Sequence, residues 1–280
     1  MDLQTKISHL FSVQQADWEQ LRNGILQMDK LQEKEFTWGG DYRVRLQFNP
    51  ARIISTAAAI SQKAIEERPC FLCEVNRPAQ QEGIPFMDKY IILCNPFPIL
   101  SNHITIPLHS HVPQRIRKKM EDMLTLAEQL PDYLIFYNGP KCGASAPDHF
   151  HLQAGLKLPL LMQGDNELRS CLQIESEDKN EAQGLFEDVY QYLHHLQPEE
   201  VEPMMNVIAF TEDNKYKLHI FPRKAHRPGH YYEKGEKQLL ISPGALDMAG
   251  LMICVREEDF EKISKHDIED IYSQVSMPVI

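Results

Sequence analysis

The chain has 280 residues, a formal net charge of −11, 42% hydrophobic and 25% charged residues, the balance expected of a soluble globular protein. That acidity argues against a general nucleic-acid binder, which needs a basic face, but leaves room for a small phosphate ligand held by a local group of Arg and Lys. No stretch approaches the ~20 apolar residues of a membrane span, the N-terminus lacks the apolar core of a signal peptide, and six scattered cysteines read as reduced thiols. The expectation is a cytoplasmic protein with neither membrane nor nucleic acid as partner.

In chain order, residues 2–30 read as helical, with Ser12 as an N-cap and Trp18, Leu21 and Ile25 at helical spacing behind it. Residues 1–33 are thereby expected to be a helical appendage on a single domain of 1–280. From Phe36 the apolar period changes to two. Phe36 and Trp38, a turn at residues 39–41, and the run from Tyr42 to Phe48 form a hairpin. Arg43, Arg45 and Gln47 fall on its solvated face, and Asn49-Pro50 ends it. Strands are expected at residues 89–95 and 103–107, joined by a loop too rich in proline for helix or strand. Pro113 opens a helix whose apolar stripe is Ile116, Met120, Met123, Leu124, Ala127 and Leu130.

Residues 134–155 then read as a strand, a glycine-containing turn and a second strand carrying His149, His151 and Gln153 on one face, roughly 6–7 Å apart per two-residue step. A polar segment at 175–181 leads into a helix with Leu185, Phe186, Val189, Tyr190 and Leu193, followed by strands at 204–210 and 216–221. Residues 90–111 and 206–226 share a strand-turn-strand pattern ending in proline and histidine, which pairs Pro107 with Pro222 and His111 with His226. The chain is thus expected to comprise two related halves, 34–160 and 182–280. Residues 241–254 read as loop and short strand, and a helical tail presents Ile268, Ile271 and Val275.

Three groups carry chemistry. A polar triplet inside an apolar strand is costly to bury without partners or a task. Neutral imidazole is nucleophilic near pH 7 and can attack phosphorus. Gly139, Lys141, Gly143, Ala144 and Ser145, in the turn before the histidines, offer backbone N–H groups for phosphoryl oxygens. The Cys70-x-x-Cys73 spacing supplies half of a tetrahedral zinc site, with His109, His111 and His149 as candidates for the rest. Arg77, Lys141, Arg223, Lys224 and Arg227 flank the strand ends as candidate phosphate contacts.

Asn138-Gly139, Gly143-x-Ser145 and His149-x-His151-x-Gln153 together resemble the active-site segment of the histidine-triad superfamily. Gln in the third position is typical of its transferase branch, which includes galactose-1-phosphate uridylyltransferase, diadenosine tetraphosphate phosphorylase and GDP-L-galactose phosphorylase. Segments 95–99, 103–107, 113–116, 221–222 and 242–250 look most like the GDP-L-galactose phosphorylase group. The resemblance covers roughly residues 36–260. It implies an α+β fold, a histidine-triad-like antiparallel sheet with flanking helices, duplicated. His151 would be the nucleophile that takes a nucleoside monophosphate, and Gln153 would hydrogen-bond the phosphoryl group. Gly143, Ser145 and Lys141 would hold phosphate, while Asn95, Phe97 and Asn138 would bind the nucleotide. Cys70, Cys73, His111 and His149 match the zinc ligands of the uridylyltransferases. Two departures stand out. Ser145 lies four residues before His149, where the family usually has three, and the cysteine pair belongs to one branch while the loops favour another. His219 sits on a strand where the uridylyltransferases carry a second metal, but its companions are missing.

The resemblance implies a nucleotidyltransferase or phosphorylase. It would move a nucleoside monophosphate from a nucleotide-sugar or dinucleoside polyphosphate to inorganic phosphate or a sugar phosphate, with structural zinc and scope for a homodimer. A nucleotide hydrolase, and a zinc-stabilised nucleotide-binding protein without turnover, are the competing readings.

Overall fold

The computed structural model describes residues 1–39, 42–57, 62–163 and 167–279. In chain order its elements are α1 (Leu3–Asp17), α2 (Glu19–Met28), β1 (Gln32–Thr37), β2 (Arg43–Phe48), α3 (Ile53–Thr56), α4 (Gln62–Glu67), β3 (Gly83–Phe86), β4 (Tyr90–Cys94) and β5 (Ile104–Pro107). There follow α5 (Met120–Gln129), β6 (Tyr133–Asn138), β7 (His151–Leu156), β8 (Leu172–Ser176), α6 (Lys179–Leu196), β9 (Met205–Glu212), β10 (Lys215–Pro222), α7 (Ala245–Ala249), β11 (Leu251–Cys254), α8 (Glu257–Lys262) and α9 (Lys265–Val275). Eight strands make one antiparallel sheet in the order β3-β4-β5-β7-β6-β9-β10-β8. β1, β2 and β11 make a second sheet, in which β11 runs parallel to β2.

Alternation along the strands sends their side chains into two cores. Leu152, Ala154, Ile135, Tyr137, Val207 and Ala209 pack with α1, α5 and α6 on one face. Phe136, Ile208, Phe210 and Phe221 pack on the other face with the small sheet, α7 and α9. His151 and Gln153 alternate with Leu152 and Ala154, so the sheet turns them toward the second face, away from α5 and α6. No helix among the described residues is long and apolar enough to cross a membrane.

The sheet is duplicated, and its order shows how. A strand, a helix and a hairpin recur as β5, α5, β6–β7 and as β8, α6, β9–β10, and the hairpins meet back to back where β6 pairs with β9. β10 therefore corresponds to β7, whereas the Pro107–Pro222 alignment set it against β5. Short strands ending in proline look alike, and only the ladder distinguishes them. β8, the first strand of this second set, lies ahead of residue 182.

Local details also differ from the sequence reading. Asp2, not Ser12, caps the first helix by accepting from the Thr5 N–H at 2.8 Å, while Ser12 sits inside it and donates to the Ser8 carbonyl. The helix expected from Pro113 begins at Met120, after a short 3-10 turn. Residues 112–116 are held instead by the neighbouring loop. Phe150 N–H donates to Val112 O, Gln114 N–H to Pro147 O, and Ile116 N–H to Glu202. The hairpin of β1 and β2 forms as expected, with Arg43 and Arg45 paired to Glu33 and Glu35 on its polar face; the turn expected at 39–41 lies partly outside the described residues.

Arg223, a candidate phosphate contact in the sequence, belongs to the core. It is fully buried and donates to Asn206 Oδ1 and to the carbonyls of Pro243, Ala225, His226 and Val275. Each acceptor left unpartnered by its removal costs about 1–3 kcal/mol. Arg223→Met is therefore expected to lower the unfolding free energy by about 3 kcal/mol or more, measured by urea denaturation. An unchanged midpoint would contradict this structural role.

Candidate active site and metal centre

The Cys70–Cys73 loop, the segment after β5 and the loop before β7 meet at one point. Leu108 N–H donates to Phe150 O and Phe150 N–H to Val112 O, which lays residues 108–112 beside 149–150. That pairing brings His111 and His149 to the cysteines. The ligating atoms of Cys70, Cys73, His111 and His149 all lie within 4.8 Å of one another. Cys70 Sγ is 3.3 Å and Cys73 Sγ 3.5 Å from His149 Nδ1, and Cys73 Sγ is 3.2 Å from His111 Nδ1. A tetrahedron with metal bonds of about 2.0–2.3 Å has edges of roughly 3.3–3.8 Å, so the set could hold a metal ion.

The outer nitrogens agree with this reading. His149 Nε2–H donates to Leu108 O at 2.8 Å, and His111 Nε2 lies 3.3 Å from Asp148 Oδ2. Each partner keeps the proton on Nε2 and turns the Nδ1 lone pair toward the sulfurs, the usual arrangement of metal-binding histidines. Asp148 is itself held by Arg68, which also donates to Ser145 O. His109, another candidate, is not in the group.

The sequence placed His149 and His151 together on a strand. In the structure β7 begins at His151, and His149 precedes it with its ring turned to the cysteines. His151 is buried. Its Nδ1–H donates to His149 O at 2.8 Å, which leaves Nε2 as the unprotonated nitrogen, without a hydrogen-bond partner among the described residues. Burial lowers its pKa to about 4, so the ring is neutral at pH 7. Gln114, from the stretch that does not become helix, fixes the strand end: it accepts from His151 N–H and donates to the carbonyls of His151 and Asn138.

Gln153 is oriented by a residue to which the sequence reading gave no role. Ile99 N–H donates to His103 Nδ1 at 3.1 Å, so the His103 proton sits on Nε2 and is given to Gln153 Oε1 at 3.0 Å. The Gln153 amide nitrogen is left as the group to meet a ligand. His103 is fully buried, and burial, aided by nearby Arg52, pushes its pKa down to about 3, which keeps this tautomer neutral.

Beside Gln153 opens a cavity of about 610 Å³ including its mouth. Asn138, Gly143 and Ala144 line it on one side, Arg52, Ser55 and Thr56 on another, and His226, Arg227, Ser242 and the 244–247 stretch on a third. His151 lies two residues along the strand from Gln153 and is not part of the lining. Gly143 has φ of +95°, and a Cβ there would stand 2.8 Å from Gly244 Cα, so two glycines let the turn and the start of α7 touch. Asn138 Oδ1 accepts from Ala245 N–H and Asn206 Nδ2, tying the same elements. Among the described residues no group accepts from the N–H of Gly143, Ala144 or Ser145. Gly139, by contrast, spends its N–H on Met205 O.

The other residues singled out in the sequence lie elsewhere. Asn95 shapes the proline-rich loop by donating to Thr105 Oγ1 and accepting from Phe97 N–H; neither Asn95 nor Phe97 lines the cavity, which Ile99 of that loop does. Lys141 is paired with Glu200 at 2.7 Å, and Arg77 lies 3.8 Å from Glu74. Ser145 and Lys224 are likewise off the cavity wall, whereas Arg227 is on it. His219 is buried against Phe210, and the metal group does not include it. Missed by the sequence reading were Arg52, which no motif flags, and Asp247. Gly244 and Ile253 donate their N–H to the Asp247 carboxylate, and burial raises its pKa to about 6.

Structures of yeast Ap4A phosphorylase Apa2 share this fold. One aligns with TM-score 0.64 at 16% identity, covering 93% of this chain and 97% of that one. The complex with Ap4A aligns with TM-score 0.61 at 15% identity (93% and 97%), and the complex with AMP with 0.58 at 16% (93% and 96%). At such identities the likeness establishes the shared α+β fold alone. No curated protein matches the sequence. The family described as a domain of unknown function, DUF4922, matches residues 10–156. That match spans more than half of the 280 residues, and the chain belongs to this family.

Proposed function

We propose that the chain is a nucleotidyltransferase of the phosphorylase type, which moves a nucleoside monophosphate to inorganic phosphate through a covalent adduct on His151. The observation that carries this reading is the tautomer of His151: its Nδ1–H is tied to the His149 carbonyl and its Nε2 is unprotonated. Nε2 attacks the α-phosphorus of the donor, forming an N–P bond, while the P–O bond to the leaving group breaks and the departing oxygen takes the electron pair. As the imidazole becomes positively charged, the His149 carbonyl stabilises it through the Nδ1 proton. The Gln153 amide and the N–H groups of Gly143 and Ala144 donate to the non-bridging oxygens, where negative charge must be held. An oxygen of inorganic phosphate then attacks the same phosphorus, the N–P bond breaks, and the free imidazole returns.

The shared fold with a protein whose structures contain Ap4A and AMP supports a dinucleoside polyphosphate as donor. The resemblance of the 95–107 and 242–250 segments to GDP-L-galactose phosphorylases supports a nucleotide-sugar. Incubation with donors of both classes carrying radioactive α-phosphorus, followed by denaturation, is expected to leave label on the wild type. His151→Ala should show neither label nor turnover, and two-step transfer should give ping-pong kinetics. Monophosphate release that ignores added phosphate would replace transfer by hydrolysis; a wild type unlabelled by every donor would remove the adduct.

We also propose zinc as the metal held by Cys70, Cys73, His111 and His149. Two thiolates and two imidazoles are a structural zinc set, closed to substrate. When bound, the ion would brace the loop that carries the His149 carbonyl. Metal analysis is expected to find about one zinc per chain, lost when Cys70 and Cys73 are both changed to Ser. An equal zinc content in the double variant would place the metal elsewhere.

A further inference from the structure

The cavity holds two guanidinium groups that the proposed chemistry at His151 does not use. Arg52 is the last residue of the short 3-10 turn after β2 and donates from Nη1 to Phe97 O at 2.9 Å. Its other nitrogens have no hydrogen-bond partner, and no carboxylate lies within ion-pair distance, among the described residues. Arg227 approaches from the other wall. It donates from Nε to Ser242 Oγ at 3.0 Å and from Nη2 to Thr56 O at 3.1 Å, and its guanidinium lies 4.1 Å from the centre of the Tyr231 ring. Thr56 and Arg52 sit on the same short stretch, so one wall anchors both arginines, and both line the cavity.

Two other basic groups that the sequence singled out are engaged within the protein. Arg223 gives its donors to carbonyls and Asn206, and Lys141 is paired with Glu200. The carboxylate on the cavity wall, Asp247, accepts from two backbone N–H groups and is not within ion-pair distance of Arg52. Burial lowers the pKa of Arg52 to about 10, against the opposing pull of the Asp247 carboxylate across the cavity. A guanidinium held this way, on a chain with net charge −11, has little reason to face a cavity unless an anion fills it.

We propose that Arg52 and Arg227 form a second phosphate subsite in this cavity, distinct from the phosphoryl position at His151 and Gln153. Its ligand is a phosphate group, either free inorganic phosphate or the far phosphates of a polyphosphate chain. The proposal rests on reading the cavity as a nucleotide-phosphate site. The planar forks of two arginines suit the several oxygens of such a group, and the half-enclosed walls strengthen the attraction. A nucleoside monophosphate bound at His151 would leave the subsite empty; a polyphosphate donor, or the acceptor in the second step, would fill it.

The test is a set of calorimetric titrations with inorganic phosphate, AMP and adenosine 5′-tetraphosphate, on wild type, Arg52→Gln, Arg227→Gln, Arg52→Lys and His151→Ala. Losing charge-assisted hydrogen bonds of this kind weakens binding roughly ten- to a hundredfold. Both Gln variants should lose inorganic phosphate by at least about tenfold, and should lose the preference of the wild type for the tetraphosphate over AMP. Arg52→Lys should retain part of the affinity and so separate charge from misfolding, with thermal melting as the fold control. His151→Ala should bind phosphate like the wild type. Inorganic phosphate that still binds with AMP saturating identifies the acceptor, whereas tetraphosphate preference without phosphate binding identifies the donor chain. Wild-type protein that binds neither, or Gln variants that bind both unchanged, would overturn the subsite. Failure of His151 labelling with intact phosphate binding would overturn the transfer reading and leave the subsite standing.

Discussion

One residue, His149, joins the two centres of this protein. Its ring nitrogen faces the sulfurs of Cys70 and Cys73, and its carbonyl takes the Nδ1 proton of His151 at 2.8 Å. The position of His149 therefore sets the tautomer of the neighbour two residues on. A carbonyl that drifted by an ångström would release that proton, and the imidazole would lose its preference for a free Nε2. The group of Cys70, Cys73, His111 and His149, the loop that carries it and the Leu108–Val112 segment beside it surround the residue that supplies this carbonyl.

The second tautomer follows the same logic two residues along the strand, on the same face. A backbone N–H from the proline-rich loop fixes His103, and His103 fixes the Gln153 amide. Both imidazoles are buried and uncharged, so their hydrogen-bond direction is decided by the backbone group each one meets. In this design the backbone chooses the protonation state, and the side chains pass the choice on to the cavity.

The cavity itself is assembled from parts far apart in the chain. Residues 52–56, 138–144, 226–227 and 242–247 meet there because β6 and β9 pair at the centre of the sheet and β11 joins β2 in a second one. The glycine-to-glycine approach of Gly143 and Gly244 and the Asn138 bridge close that seam.

The sequence by itself carried whatever depends on near neighbours. Alternating apolar residues marked most of the strands, the stripe of Met120, Met123, Leu124 and Ala127 marked α5, and the Cys70-x-x-Cys73 spacing marked half of a candidate metal site, which the family resemblance completed with His111 and His149. Tertiary structure decided what depends on distant partners. Pro113–Ile116 stays out of the helix because Gln114 and the Ile116 N–H have better partners in the His151 strand and Glu202. Asn95 and Phe97, plausible ligand contacts by motif, became loop scaffolding, while Arg52 reached the cavity with no local signal. An arginine has the same local pattern whether it is buried under carbonyls, as Arg223 is, or left facing a cavity. Only the fold supplies, or withholds, its acceptors.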